Sequence, residues 1–209
     1  GIASSGGAGR VTAEWMINGY MNEDLFSLDI KRFQKFHSSK KFIMERVTET
    51  LGDLYGMHWP YKQHKTSRDQ RLLPYHNELK KVGACFGVSG EYERPMWYAL
   101  NDEIPEYKYS FDYQNWYPSV EFETKNTVNN VGLYELSPFS KYELKGEAAH
   151  SELQRICTAN IKNEIGRSTY TQMLNEAGGI EADLTVICIE ENHFRIISSA
   201  ATRTHDKAH

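Results

Sequence analysis

The chain has 209 residues, enough for one or two domains whose cores bury well over half of the unfolded surface. Hydrophobic residues make up 40% and charged residues 25%, the balance of an ordinary soluble globular protein. A net charge of −4 with no long basic stripe argues against a nucleic-acid partner, and the longest apolar runs are too short to cross a bilayer.

Gly1 to Arg10 reads as a glycine- and serine-rich turn, followed by a helix from Val11 that stops at Gly19. Arg10 follows the glycines where a phosphate loop needs Lys-Ser or Lys-Thr, which argues against a nucleoside triphosphate site of that kind. A second helix is expected from Ser39 to Leu54, with Phe42, Val47, Leu51 and Leu54 as its buried stripe, and Trp59-Pro60 ends it. Tyr61 to Arg71 is polar and basic. Its Arg68 and Arg71 either clamp an anion or bind carboxylates within the protein.

A short helix is expected at His76 to Lys81 and a strand at Ala84 to Val88, while Glu93-Arg94 reads as an interdomain ion pair. Asn101 to Pro118 is too aromatic for a disordered tail and reads as a connection packed on the surface. Next come a helix at Val120 to Val128, an alternating strand at Lys141 to Lys145 and a helix at Ala148 to Thr158. The last elements are strands at Ser168 to Leu174, Leu184 to Ile189 and Phe194 to Ser198, with a turn at Ala177-Gly178-Gly179. Strands and helices in this irregular succession define an α+β fold.

The candidate chemistry is acidic. Asp183 is expected at the mouth of an apolar strand, where a carboxylate can meet a ligand; the bland alternative is an acid that caps the turn. Tyr170 across the hairpin is by itself an ordinary strand aromatic. The histidines form no pair at metal-ligand spacing, and Cys85, Cys157 and Cys188, odd in number and far apart, read as buried free thiols. No Gly-x-Ser-x-Gly elbow and no obvious Cys-His pair supports a hydrolase.

The hairpin, with a Tyr opening its first strand and a Gly-Gly turn before Asp183-Leu184, resembles the folate-binding hairpin of the aminomethyltransferase (glycine-cleavage T-protein) fold. Val131 to Gly146 resembles the entry segment of that fold, with Glu135 where an Asp commonly stands. Gly1 to Arg10, with Ala13-Glu14-Trp15 and Asn18-Gly19-Tyr20, resembles the last glycine-rich turn and helix of an amine-oxidising flavin domain. Asp29 to Phe33 and Gly90 to Tyr98 resemble the connecting module that follows it. In this order the segments resemble the dimethylglycine and sarcosine dehydrogenase family, which includes the pyruvate dehydrogenase phosphatase regulatory subunit.

That resemblance implies three parts: the end of a flavin domain over 1–33, a connecting module over 34–118, and the N-terminal part of a folate-binding domain over 119–209. It implies an internal fragment that does not hold flavin tightly. It also implies FAD and tetrahydrofolate as cofactors of the intact parent, with Tyr170, Asp183 and Thr185 on the folate and Gly6 and Gly7 in the flavin-facing turn. The family's flavin oxidises an N-methyl amine to an iminium, and the folate captures the one-carbon unit as 5,10-methylenetetrahydrofolate. Asp183 would take the proton of the reacting folate nitrogen. The partners implied are a methylated amine, folate and either oxygen or an electron-transfer flavoprotein, in a bacterial cytoplasm or the mitochondrial matrix. Two rivals stand beside this reading: a regulatory relative without turnover, and an interaction module that binds a partner through its aromatic connector.

Overall fold

The computed structural model describes residues 2–20, 23, 25–101 and 103–209. Gly1 of the expected opening turn lies outside the described residues. The glycine-rich start is helical rather than open: a 3-10 turn at Ile2–Ser4 leads into α1, Ser5–Asn18, so Gly6 and Gly7 stand in its first turn. The helix stops where expected, at Gly19, whose φ of +80° lets its N–H reach back to the Trp15 carbonyl at 2.8 Å. Three 3-10 turns, Phe26–Leu28, Ile30–Arg32 and Lys35–Ser38, lead to α2, Lys40–Asp53, capped by the Ser39 hydroxyl, which accepts from the Phe42 N–H at 3.2 Å.

Most of the expected buried stripe of α2 lies on the wrong face; of its four residues only Phe42 is half-buried, packed against Phe36 and His37. Val47, Leu51 and Leu54 are 48%, 57% and 59% exposed, and the half-buried side is largely polar. The cause is a set of close hydrogen bonds to the following loop. Glu49 accepts from the Lys65 and Thr66 N–H groups at 2.6 and 2.9 Å, Arg46 donates to the Thr66 carbonyl at 2.7 Å, and Lys62 pairs with Asp53 at 2.6 Å. On this helix polar and apolar residues both recur at helical spacing, and the polar set found the partner.

After α3, His76–Lys81, the chain forms a hairpin of β1, Ala84–Ser89, and β2, Tyr92–Tyr98. Gly90 and Glu91, with φ of +56° and +66°, make the two-residue turn whose twist matches the strands. β2 was not legible as a strand because it is charged and carries Pro95. A register shift between Cys85 and Phe86 opposite Pro95 accommodates the missing N–H. The connection that follows packs by its aromatics, as expected: Tyr107 meets Trp97 and Trp116 edge-on and stacks on Tyr109 at 5.6 Å. α4 spans Tyr117–Asn129, with Pro118 in its first turn, where a missing N–H costs nothing.

The second lobe is an antiparallel sheet of β3, Ser140–Lys145, β4, Ser168–Leu174, β5, Ile180–Glu190, and β6, His193–Ser198, in the order β3-β6-β5-β4. Its inner face presents Ala182, Leu184, Val186, Phe194 and Ile196 to Ala149 and Leu153 of α5, Ala149–Ile156. A last helix, α6, spans Arg203–Ala208. Two sheets with helices outside them in irregular succession are the α+β fold read from the sequence.

Candidate functional site

β5 alternates without interruption from Glu181 to Cys188: Ala182, Leu184, Val186 and Cys188 go into the core, while Glu181, Asp183, Thr185 and Ile187 face the other way. The strict period of two therefore delivers the acid to the open face of the sheet. On that face Asp183 stands opposite Gln172, and Thr185 stands opposite Tyr170. Asp183 is not at the strand mouth, as the sequence suggested, but the fourth residue of an 11-residue strand. The hairpin closes tightly enough for Ile180 to pair already with Leu174. Nor does Asp183 cap the turn. Asn175 does that, its side-chain oxygen accepting from Ala177 N–H at 3.0 Å and Gly179 N–H at 2.9 Å, with Gly178 at φ +82°.

Gln172 Nε2 donates to Asp183 Oδ1 at 3.2 Å, and the carboxylate lies near enough to the Tyr170 hydroxyl to raise the phenol's pKa. A cleft of about 320 Å³ opens over these residues, walled by Phe139, Ile197, Ser199 and Thr202. One end is closed by Glu181, which accepts from Asn175 Nδ2 at 2.7 Å and pairs with His205 Nε2 of α6 at 3.1 Å. Ser198 also lines the cleft, and its buried Oγ has no hydrogen-bond partner. The structure thus brings Tyr170, Asp183 and Thr185 to one cleft. Phe139, which precedes β3, Ile197 of β6 and Ser199 just after it were not singled out by sequence reasoning; the pairing of Ser140 with Ser198 brings them together.

Gly6 and Gly7 stand elsewhere, exposed at the start of α1 with nothing within 4 Å of the Cβ each lacks. Their N–H groups belong to the helix's first turn and have no carbonyl four residues earlier inside it. Glu135 caps its own loop, Oε1 accepting from Ser137 N–H at 2.9 Å. Arg68 and Arg71 bind carboxylates within the protein, Glu93 and Glu91 respectively. Arg94 therefore does not pair with its neighbour Glu93. Two groupings lie apart from the cleft. Glu49, Asp53 and His64 bring possible ligand atoms within 4.8 Å of one another, yet Glu49 is engaged by two backbone N–H groups and the Thr66 hydroxyl, and Asp53 by Lys62. Cys85 and Cys188 are buried free thiols, and burial pushes the Cys85 thiol up to about 11.

The folate expectation meets a site of suitable character: an open, partly apolar cleft with an aromatic edge and a positioned carboxylate. Among the described residues no helix is long and apolar enough to cross a membrane.

Residues 75–209 match the GCVT N-terminal domain, and residues 18–72 match the FAD dependent oxidoreductase central domain. A 4-methylaminobutanoate oxidase (formaldehyde-forming) of Paenarthrobacter nicotinovorans is 36% identical over 209 residues, covering 100% of this chain and 25% of the relative. The mitochondrial pyruvate dehydrogenase phosphatase regulatory subunit of Mus musculus is 30% identical, over 98% of this chain and 24% of its own length. Mitochondrial dimethylglycine dehydrogenase of Rattus norvegicus is 26% identical, over 99% and 24%. The chain therefore spans about a quarter of the length of these relatives. The crystal structure of glycine cleavage system aminomethyltransferase T from Bartonella henselae superposes with a TM-score of 0.51 at 23% identity, covering 66% of this chain and 34% of that one, which shows a shared fold. The chain belongs to the GCVT N-terminal domain family, with the central domain of an FAD-dependent oxidoreductase preceding that domain.

Proposed function

We propose that this chain is the part of a flavin-dependent N-methyl amine dehydrogenase in which tetrahydrofolate is bound and the one-carbon unit is captured. The observation that supports this best is the Asp183 carboxylate, set by sheet register on an open cleft beside Tyr170 and hydrogen-bonded by Gln172. Tetrahydrofolate, when bound, supplies the nucleophilic nitrogens that accept the one-carbon unit. Asp183 acts on the proton of the reacting nitrogen and offsets the positive charge that develops on attack. Gln172 orients the carboxylate, Tyr170 and Thr185 line the cleft beside it, and Phe139 and Ile197 offer apolar surface to a planar ring.

FAD belongs to the same proposal, with Gly6 and Gly7 turned toward it in the intact parent. Those residues offer at most one wall of a flavin site, and no step is assigned to them. The division into a flavin-domain end over 1–33, a connecting module over 34–118 and a folate domain over 119–209 is part of the reading, as are a methylated-amine substrate, oxygen or a transfer flavoprotein as acceptor, and a bacterial cytoplasm or mitochondrial matrix as location. Similar proteins include one from Paenarthrobacter nicotinovorans and a mitochondrial one from Rattus norvegicus.

The test uses the full-length protein with a methylated amine such as dimethylglycine or sarcosine. Asp183→Asn keeps the shape of the side chain and removes its basicity. It should leave flavin reduction intact and slow 5,10-methylenetetrahydrofolate formation by ~10²-fold or more, with free formaldehyde rising instead. Unchanged capture without extra formaldehyde would reduce Asp183 to a structural residue. A second reading rests on the 30% identity to a phosphatase regulatory subunit. Folate binding with no flavin reduction by any methylated amine would favour that one.

A further inference from the structure

Where the two lobes meet, the tip of the β1–β2 hairpin lies against the turn between β6 and α6. A Cβ on Gly90 would stand 2.8 Å from the Ala200 Cβ and 3.3 Å from the Ala201 N, so the contact tolerates only glycine. Beside this seam is a second hollow, of about 120 Å³, lined by Ser89, Gly90, Arg94, Phe139, Ser199 and Ala200. Phe139 and Ser199 also wall the cleft over Asp183, so the two hollows adjoin across a shared partition.

Arg94 is the charged group of this second hollow. It is half-buried, and among the described residues it makes no hydrogen bond, ion pair or ring contact. The acids nearest in sequence are already taken: Glu93 by Arg68, and Glu91 by Arg71 at 3.6 Å. Every other half-buried arginine described has acceptors, namely Arg46 on the Thr66 carbonyl, Arg68 on Glu93 and Arg71 on the Tyr92 hydroxyl. With its side chain half-buried in the hollow and no described residue engaging its donors, the Arg94 guanidinium is free to meet a ligand there. Its planar fork of donors matches a carboxylate.

We propose that Arg94 is the carboxylate-binding residue of an elongated ligand whose ring end lies against Asp183. The inference rests on the folate reading above and deepens it: reduced folates carry a planar heterocycle at one end and the carboxylates of a glutamate tail at the other. The residue that holds the tail then comes from the hairpin lobe and the residue that meets the ring from the four-stranded sheet, so the site spans both parts of the chain.

The experiment is equilibrium binding of two probes to the full-length protein: 5-formyltetrahydrofolate, and the corresponding reduced formyl-pteroate that lacks the glutamate. The wild type should prefer the glutamate-bearing probe by about tenfold or more, the scale of one charge-assisted hydrogen bond. Arg94→Gln should abolish that preference by weakening the 5-formyltetrahydrofolate complex alone, with pteroate affinity unchanged, and Arg94→Lys should restore part of it. Equal affinity of the wild type for both probes, or an unchanged preference in Arg94→Gln, overturns the assignment while leaving the folate reading intact. A loss of both affinities in Arg94→Gln with no change in preference assigns Arg94 to the seam between the lobes and equally overturns it. Failure of the wild type to bind either probe removes the folate reading, and the tail site with it.

Discussion

Removing the charge of Glu93 should be among the most damaging single changes in the hairpin lobe. Its side chain is 2% exposed and accepts from Arg68 Nε at 2.7 Å, from Arg68 Nη2 and from the Asp69 N–H at 2.9 Å. Burial alone would raise its pKa, but the Arg68 hydrogen bond, the Asp69 N–H and the Arg68 charge together hold it below the usual carboxylate range. One carboxylate thereby ties the loop around Arg68 to β2, beside the Glu93 N–H that donates to the Arg71 carbonyl at 2.9 Å. Glu93→Gln turns one acceptor into a donor facing donors. Breaking a buried pair from one side costs about 3–5 kcal/mol. Arg68 is 25% exposed and keeps the His64 and Phe86 carbonyls at 3.2 and 3.1 Å, so water and these acceptors reduce the expected loss. The figure is then about 2–3 kcal/mol, or a Tm lower by roughly 5–10 °C in a protein of this size. Urea unfolding of Glu93→Gln, Arg68→Met and the double variant checks it, with the double less destabilised than the sum by about 1 kcal/mol or more. Strictly additive effects, or a Glu93→Gln change within about 0.5 kcal/mol of wild type, would refute the reasoning.

Two further outcomes follow from the same geometry. Leu51→Ala should change stability by no more than about 0.5 kcal/mol because the side chain is exposed, whereas Phe194→Ala, at 0% exposure in the sheet core, should cost about 3–5 kcal/mol in denaturant melts. Comparable losses at the two positions would mean that the apolar face of α2 is covered in solution. Glu49 sets a pH dependence: burial alone would raise it, but the hydrogen bonds from the Thr66 hydroxyl and the Lys65 and Thr66 N–H groups, with His64 nearby, take it down to about 2. Because the folded pKa lies below the unfolded one, its contribution is complete above the ordinary value of 4.5 and disappears as pH falls toward 2. At a helix surface reached by water that is about 1–2 kcal/mol. Glu49→Gln should flatten the acid side of a stability profile between those limits, and an unchanged slope there would remove Glu49 from the account.

Local signals carried much of the fold. The helix His76–Lys81 and the strand Ser168–Leu174 have the same bounds in sequence and structure, because a proline, a glycine turn and β-branched residues fix them within a few positions. What local signals cannot carry is the choice between two faces. On α2 Val47 and Leu51 are spaced as regularly as Glu45 and Glu49, and only the approach of the loop decides that Glu49 is covered and Leu51 is not. Adjacency misled at Glu93-Arg94 for a related reason: neighbours on a strand point to opposite sides, so one meets Arg68 in the interior and the other meets the hollow at the lobe seam. That Asp183 faces the cleft agrees with its expected exposure on the hairpin, but its depth in the strand was not legible, since that depends on Asn175 closing the turn.

The placement of Asp183 within a strand has a mechanical consequence. β5 lies between β4 and β6, so its backbone is hydrogen-bonded on both sides, and Ala182 and Leu184, flanking the acid, are 5% and 3% exposed. A side chain so supported has little freedom beyond its own rotamers, and those are narrowed by Gln172. A carboxylate on a mobile loop would have to be ordered whenever ligand arrived; this one is in position beforehand, as the proton transfer and charge stabilisation proposed for it would require. Arg94, by contrast, reaches the neighbouring hollow from the other lobe, where Gly90 meets Ala200. If Arg94 and Asp183 hold the two ends of one ligand, that seam sets the span between them. A side chain at position 90 would lengthen it, and a ligand gripped at both ends would register that change before the sheet itself was disturbed.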